Sequence, residues 1–177
     1  MRTGVYRSEE FKPALSFRLS EGWATSPPEV PDSLKIVRGE TAGVRFVSAQ
    51  AVYKPGTLEV VEAPKDLVGW FQHHPYLKTD KPKPARVGEG KGKQFDVVVE
   101  DLPRDYYGAC GSDCVDIFRS SGAGWIALKE GDMGHVIVLE DVNGETVTIG
   151  IASMASDFDE FAPEAQKVID SVRWSDS

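Results

Sequence analysis

The sequence predicts an α+β fold: a largely antiparallel sheet with a mid-chain helix and a C-terminal helix packed on it. Three observations lead there. Asn143-Gly144 sits between two β-rich runs in GHVIVLEDVNGETVTIGIA (134–152), and a type I′ hairpin turn needs positive φ at both central residues. Leu67, Trp70, Phe71 and His74 fall at i, i+3, i+4 and i+7, the apolar stripe of an amphipathic helix. Ala165, Val168, Ile169 and Val172 give a second stripe. Strand runs with two helices and no regular βαβ alternation belong to the α+β class.

Taken in order, Gly4 to Ser8 is a short β-like start, and Leu15, Phe17 and Leu19 alternate on one side of a strand before Trp23. Prolines at 27, 28 and 31 remove ladder donors, so that segment is a loop. Ser33 to Val37 and Val44 to Val52 are the next strands. Pro64 suits the start of the first helix and Pro75 its exit. Residues 78–93 read as a Pro/Gly/Lys-rich connector, with a hairpin turn near Gly88, and Phe95 to Glu100 as a strand. Val115 to Arg119 and Trp125 to Lys129 are short strands. Asp157 to Glu160 resembles a capping box, with Pro163 in the first turn of the last helix.

An unbroken ladder from Asn143-Gly144 sets Val142 opposite Glu145, Glu140 opposite Val147, Val138 opposite Ile149 and Val136 opposite Ile151. One face then carries Val136, Val138, Val147, Ile149 and Ile151. The other carries Ile137 and Leu139 opposite Gly150 and Thr148. A hairpin apolar on both faces belongs inside a sheet that is covered on both sides.

At 177 residues the chain has the size of one domain, 1–177, able to bury about 70% of its unfolded surface. Hydrophobic residues at 41% and charged residues at 27% are ordinary for a globular protein. A net charge of −8 argues against nucleic acid as a partner, because phosphate binding shows as a basic domain. No run approaches the roughly 18 apolar residues of a membrane span. Arg2 to Glu10 has no apolar export core. Two expectations follow: a cytoplasmic protein, or an extracytoplasmic one whose export segment is absent from this chain.

Cys110-Gly-Ser-Asp-Cys114 is the sharpest local feature. Along an extended strand the two Cα atoms would lie roughly 13 Å apart, beyond the ~7 Å limit for a disulfide. Gly-Ser-Asp is turn chemistry, however, and a turn brings the sulfurs together. A disulfide implies an oxidising compartment; two unpaired thiols imply a cytosolic one. Zinc held by Cys110, Cys114 and a histidine (His73, His74 or His135) lacks the two tight ligand pairs of a structural site. His74 reads as a core-edge histidine hydrogen-bonded through one nitrogen. No G-x-S-x-G elbow is present, and a Cys–His nucleophile pair has no support in the spacing. The glycines at 88–92 precede a strand rather than a helix, so they lack the physical basis of a phosphate loop. Asp157, Asp159 and Glu160 read as negative charge at a helix N-terminus. Hence no catalytic residue, metal ligand or cofactor is expected. Tyr106 and Tyr107 beside the cysteine turn, with Trp125, form a candidate recognition surface.

Five segments together carry a resemblance: FKPALSFRLSEGW (11–23), DLVGWFQHHPYLKT (66–79), RVGEGKGKQFDV (86–97), CGSDCVDIF (110–118) and DFDEFAPEAQKVIDSVRW (157–174). They resemble a group of bacterial exported or lipoprotein-type domains. Their layout, a final helix running into a Trp-ended strand, is similar to the Mog1/PsbP-like α/β/α sandwich. The resemblance implies an envelope-side, non-enzymatic domain. Mog1-like members bind a small GTPase and PsbP-like members a membrane complex, so by analogy of fold it implies binding. It supplies no functional residue.

The function expected is therefore a non-catalytic extracytoplasmic binding or accessory module, secreted or lipid-anchored, with a protein or envelope component as partner. Two alternatives stand beside it. One is a hydrolase built on Cys/His or metal chemistry. The other is an anionic-polymer binder using Lys78 to Lys93, where six basic residues (Lys78, Lys81, Lys83, Arg86, Lys91, Lys93) meet two acidic ones (Asp80, Glu89).

Overall fold

The computed structural model describes residues 3–48, 50–122 and 124–175, which form three antiparallel sheets and two helices. The chain starts with β1 (Gly4–Arg7), β2 (Leu15–Leu19) and β3 (Trp23–Thr25). Leu15, Phe17 and Leu19 are buried, as their alternation requires. Next come β4 (Ser33–Arg38) and β5 (Ala42–Val47). The strand expected over Val44 to Val52 divides, because β6 (Ala51–Tyr53) turns away to pair with β7 (Val60–Glu62) in another sheet. Helix α1 spans only Leu67–Gln72, within the Pro64–Pro75 bounds expected. The Asp66 side chain caps it, accepting from the Gly69 N–H at 2.9 Å.

Residues 78–93 are not a connector. They belong to β8 (Leu77–Thr79), β9 (Lys83–Val87) and β10 (Gly90–Val99), with the expected turn at Gly88 between the last two. Then follow β11 (Cys114–Ser120), β12 (Gly124–Lys129), β13 (Asp132–Val142), β14 (Glu145–Met154), α2 (Phe158–Asp170) and β15 (Arg173–Trp174). The capping box does not form. Asp157 already has helical φ and ψ (−104, −9) and its side chain makes no capping bond, since the capping role needs a non-helical backbone. Pro163 lies inside α2 rather than in its first turn, because the helix begins at Phe158.

The largest sheet runs β3-β4-β5-β14-β13-β10-β8, with β9 also paired to β10. Sheet β1-β2-β15 and helix α2 cover one face, around a core that includes Phe17, Trp23, Ile36, Phe46, Ile149 and Ile169. Sheet β12-β11-β6-β7 and helix α1 cover the other, around Phe71, Phe95, Val97, Phe118, Val136 and Val138. Coverage of both faces is what the two-sided hairpin demanded.

The register of that hairpin differs from an unbroken ladder. Val142 does face Glu145, but Leu139 faces Val147, Val138 faces Thr148, Ile137 faces Ile149, Val136 faces Gly150 and His135 faces Ile151. The cause is a bulge: Glu140 and Asp141 occupy β13 where β14 has only Thr146. Asp141 sits at φ +53, a left-handed conformation that Asp tolerates, and its carboxylate accepts the Gly144 N–H at 3.1 Å. The extra residue sends Ile137 and Leu139 to the α2 side with Val147, Ile149 and Ile151. Val136 and Val138 go to the opposite side with Gly150 and Thr148.

Candidate functional site

On that opposite face one row of side chains shrinks to nothing at its middle, Gly150. Strand registers align Phe95, Val136, Gly150, Arg45 and Lys35 across β10, β13, β14, β5 and β4. Phe95 and Val136 fill the core under α1, but Gly150 contributes nothing: a Cβ placed there would meet no atom within 4 Å. Gly43, Gly134 and Ala152 occupy the neighbouring row. A cleft of about 270 Å³ results. Its floor is this glycine-rich stretch, and its walls include Ile117, Ile126 and Leu128 from β11 and β12.

Lys35 and Arg45 line the cleft beside the glycines. Their strand neighbours Leu34, Ile36, Val44 and Phe46 point into the α2-side core, which leaves both cations on the cleft face. The Lys35 stem lies across Gly43, its Cε 3.2 Å from where a Cβ would be. Arg45 donates from Nη1 to Ser33 Oγ at 2.9 Å. Among the described residues, neither cation is ion-paired with a carboxylate. Burial, and then the charge of Arg45, lowers the Lys35 ammonium from its usual range, and burial lowers the Arg45 guanidinium likewise. Glu40 and Asp132 also line the cleft. Burial pushes the Asp132 carboxyl up, opposed by Lys129.

Cys110 and Cys114 are joined in a disulfide with Cα atoms 6.1 Å apart. The chain does bring them together: a turn over Ala109-Cys110, closed by paired backbone bonds between Gly108 and Gly111 at 2.9 and 3.1 Å, runs into a bend at Ser112-Asp113. Asp116, buried beneath, accepts N–H bonds from Ala109 at 2.6 Å and Cys110 at 3.1 Å. Both sulfurs being bonded, neither is the thiolate that a Cys–His nucleophile requires.

Tyr106 and Tyr107 do not share a surface. Tyr106 is buried, its ring 5.1 Å from that of Tyr76, because the chain enters the cysteine loop over the α1-side core. Tyr107 is 68% exposed. The Trp125 side chain lies outside the described residues. Of the basic segment, Lys78 is held by Glu100 at 2.7 Å and Asp101 at 3.3 Å, while Lys81, Lys83, Arg86, Lys91 and Lys93 are exposed.

The three histidines are not brought together. His73 is exposed and bonds the Gly69 carbonyl through Nδ1 at 2.8 Å. His74 is buried, as expected of the stripe. Its Nδ1 accepts the Tyr76 N–H at 3.1 Å, its Nε2 has no hydrogen-bond partner, and burial depresses its pKa to about 4. His135 is held between Asp96 Oδ1 at 2.7 Å and Gln94 Oε1 at 2.9 Å. Among the described residues, no three of His, Cys, Asp and Glu gather as metal ligands, and no helix is long and apolar enough to cross a membrane.

No protein family matches the chain by sequence, and no curated relative does. Solved structures are similar over nearly its whole length. They include cyanobacterial PsbP (CyanoP) from Synechocystis sp. PCC 6803, at TM-score 0.49 and 9% identity, covering 97% of this chain and 92% of that one. The Ran-binding protein Mog1p of Saccharomyces cerevisiae gives 0.49 and 11%, covering 99% and 97%. LpqN of Mycobacterium tuberculosis, involved in cell envelope biogenesis, gives 0.47 and 9%, covering 99% and 93%. Mog1 and PsbP are the names the sequence resemblance brings up.

Proposed function

We propose that residues 1–177 form one non-catalytic binding module that works outside the reducing cytoplasm, secreted or lipid-anchored, with the cleft above Gly150 as its binding element. The observation that carries this reading is the Lys35–Arg45 pair. Two like charges placed opposite each other across a ladder and partly stripped of water destabilise the fold they sit in. A protein keeps such an arrangement where an incoming group supplies the missing partner. The open floor at Gly150 gives that group room. The extracytoplasmic setting is supported by the Cys110–Cys114 disulfide, since reducing compartments keep thiols open.

Native mass spectrometry of protein purified from its own host tests the cleft, comparing the wild type with Gly150→Leu. The side chain of the variant fills the open space over residue 150. A small molecule carried by the wild type and missing from the variant is the expected result. Each protein flying at its own ligand-free mass would overturn the cleft reading. Thiol alkylation of the same samples tests the compartment: both cysteines should resist until reduced, and free reaction would remove the extracytoplasmic setting.

A further inference from the structure

We infer that the cleft binds a small amphipathic monocarboxylate, its carboxylate between Lys35 and Arg45 and its aliphatic tail over Gly150 against Ile126 and Leu128. This rests on the cleft being the binding element, and it adds the class of ligand.

The charge argument comes first. A guanidinium presents a planar fork that matches a carboxylate, and an ammonium beside it supplies a second charged donor. Ser33 takes one Arg45 nitrogen, which orients the group and leaves its other donors available. A bound anion would relieve the repulsion between the cations and replace the hydration that burial removed. The electrostatic attraction is strengthened by the low-dielectric walls.

The two acidic lining residues limit the charge of the guest. Glu40 and Asp132 line the same cleft as the two cations, so each further negative charge on the ligand adds repulsion and a single carboxylate meets the least. The remaining lining fixes the rest of the ligand. Ile117, Ile126, Leu128 and Val136 offer apolar walls, and the open backbone at Gly150 lets a chain lie close on the sheet. As for size, an apolar cavity of about 150 Å³ takes a benzene-sized guest and drug-sized pockets begin near 300 Å³. At about 270 Å³ the cleft holds one short-to-medium aliphatic chain.

Isothermal titration with three eight-carbon probes on the full chain tests this: octanoate, octanol and octyl phosphate. Octanoate should bind, octanol should bind at least about tenfold more weakly, and octyl phosphate no more tightly than octanoate. Lys35→Met and Arg45→Met should each weaken octanoate by at least about tenfold, the usual worth of one charge-assisted contact. Circular dichroism and a melting curve establish that each variant is folded. Gly150→Leu, which alters no charge, should abolish octanoate binding by occupying the tail site. Octanol binding as tightly as octanoate would overturn the carboxylate assignment and leave the cleft reading in place. Octyl phosphate binding tenfold tighter would overturn the monoanion. No binding of any probe would overturn this inference, whereas the binding-module reading is decided separately by the native mass comparison.

Discussion

Lys35 and Arg45 face each other directly in the β4–β5 ladder, two like charges on one half-buried side of the sheet. Opposed like charges cost about 0.2–1 kcal/mol across a strand pair. Lys35→Met keeps the apolar stem and removes one charge, so the ligand-free protein should melt higher, by up to about 4 °C. Differential scanning calorimetry reads this, and a lowered melting point would mean that Lys35 has a stabilising partner.

The bulge at Glu140–Asp141 makes a separate claim. Leu139 is fully buried opposite Val147, and Glu140 is exposed. Leu139→Ala should cost about 2–5 kcal/mol, whereas Glu140→Ala should change stability by less than about 0.5 kcal/mol. Urea denaturation of the two variants measures both. Comparable losses would restore the unbroken ladder.

His74 makes stability fall in mild acid. Its folded pKa of about 4 lies below the 6.5 of an ordinary histidine, so the unfolded chain takes up a proton first as pH drops. The stabilisation is complete above pH 6.5, declines from there to about pH 4 and is then exhausted. Its size is about 3 kcal/mol. His74→Phe should remove that part of the slope, read as the difference between the two proteins in unfolding free energy from pH 7 to 4. A difference that does not change with pH would contradict the buried neutral imidazole.

Glu29 clasps the N-terminal segment to the body. Its Oε1 accepts the N–H groups of Glu9, Glu10 and Phe11 at 2.8, 2.8 and 2.9 Å, and Tyr6 Oη donates to its Oε2. Burial acts to raise this carboxyl's pKa, but the hydrogen bonds outweigh it and hold it below the usual carboxylate range. The stabilisation is therefore present above the ordinary carboxylate pKa and is lost as pH falls through the lower folded value. At neutral pH, Glu29→Gln should cost about 1–3 kcal/mol, and amide exchange at residues 9–11 should quicken. Unchanged protection at those amides would show that the carboxylate is not their anchor.

Reducing Cys110–Cys114 should lower stability by about 2 kcal/mol, the chain-entropy value for so short a loop. Guanidinium titrations with and without reductant give the number. A shift near zero would mean that the hydrogen bonds to Asp116 hold the loop without the covalent link.

Much of this architecture was legible because local chemistry agreed with the tertiary outcome. Leu15, Phe17 and Leu19 alternated and were buried, Asn143-Gly144 turned, and Gly-Ser-Asp drew Cys110 to Cys114. The misjudged parts depended on what lay across the sheet. Asp141 carries no mark of a bulge until its partner strand is known, and residues 78–93 looked like a connector because lysines and glycines hide a ladder formed at long range. Tyr106 was legible as an aromatic beside a turn, but its burial follows from Tyr76 and Asp116 arriving from elsewhere.

The candidate site was the least visible. Lys35 and Arg45 each stand as a lone cation inside an apolar strand, in LKIV (34–37) and VRFV (44–47). That irregularity is the one signal available. Only the register sets them opposite one another and next to Gly150.

The extra residue at Asp141 also has a meaning for how this fold changes over generations. Deleting it would leave a plain ladder in which Glu140 meets Thr146 while Leu139 stays opposite Val147 and Ile137 opposite Ile149, so both would still face α2. The lining of the cleft, Val136 and Gly150 among it, would stay as it is. One residue of chain length can thus be lost beside this turn without turning the strand over.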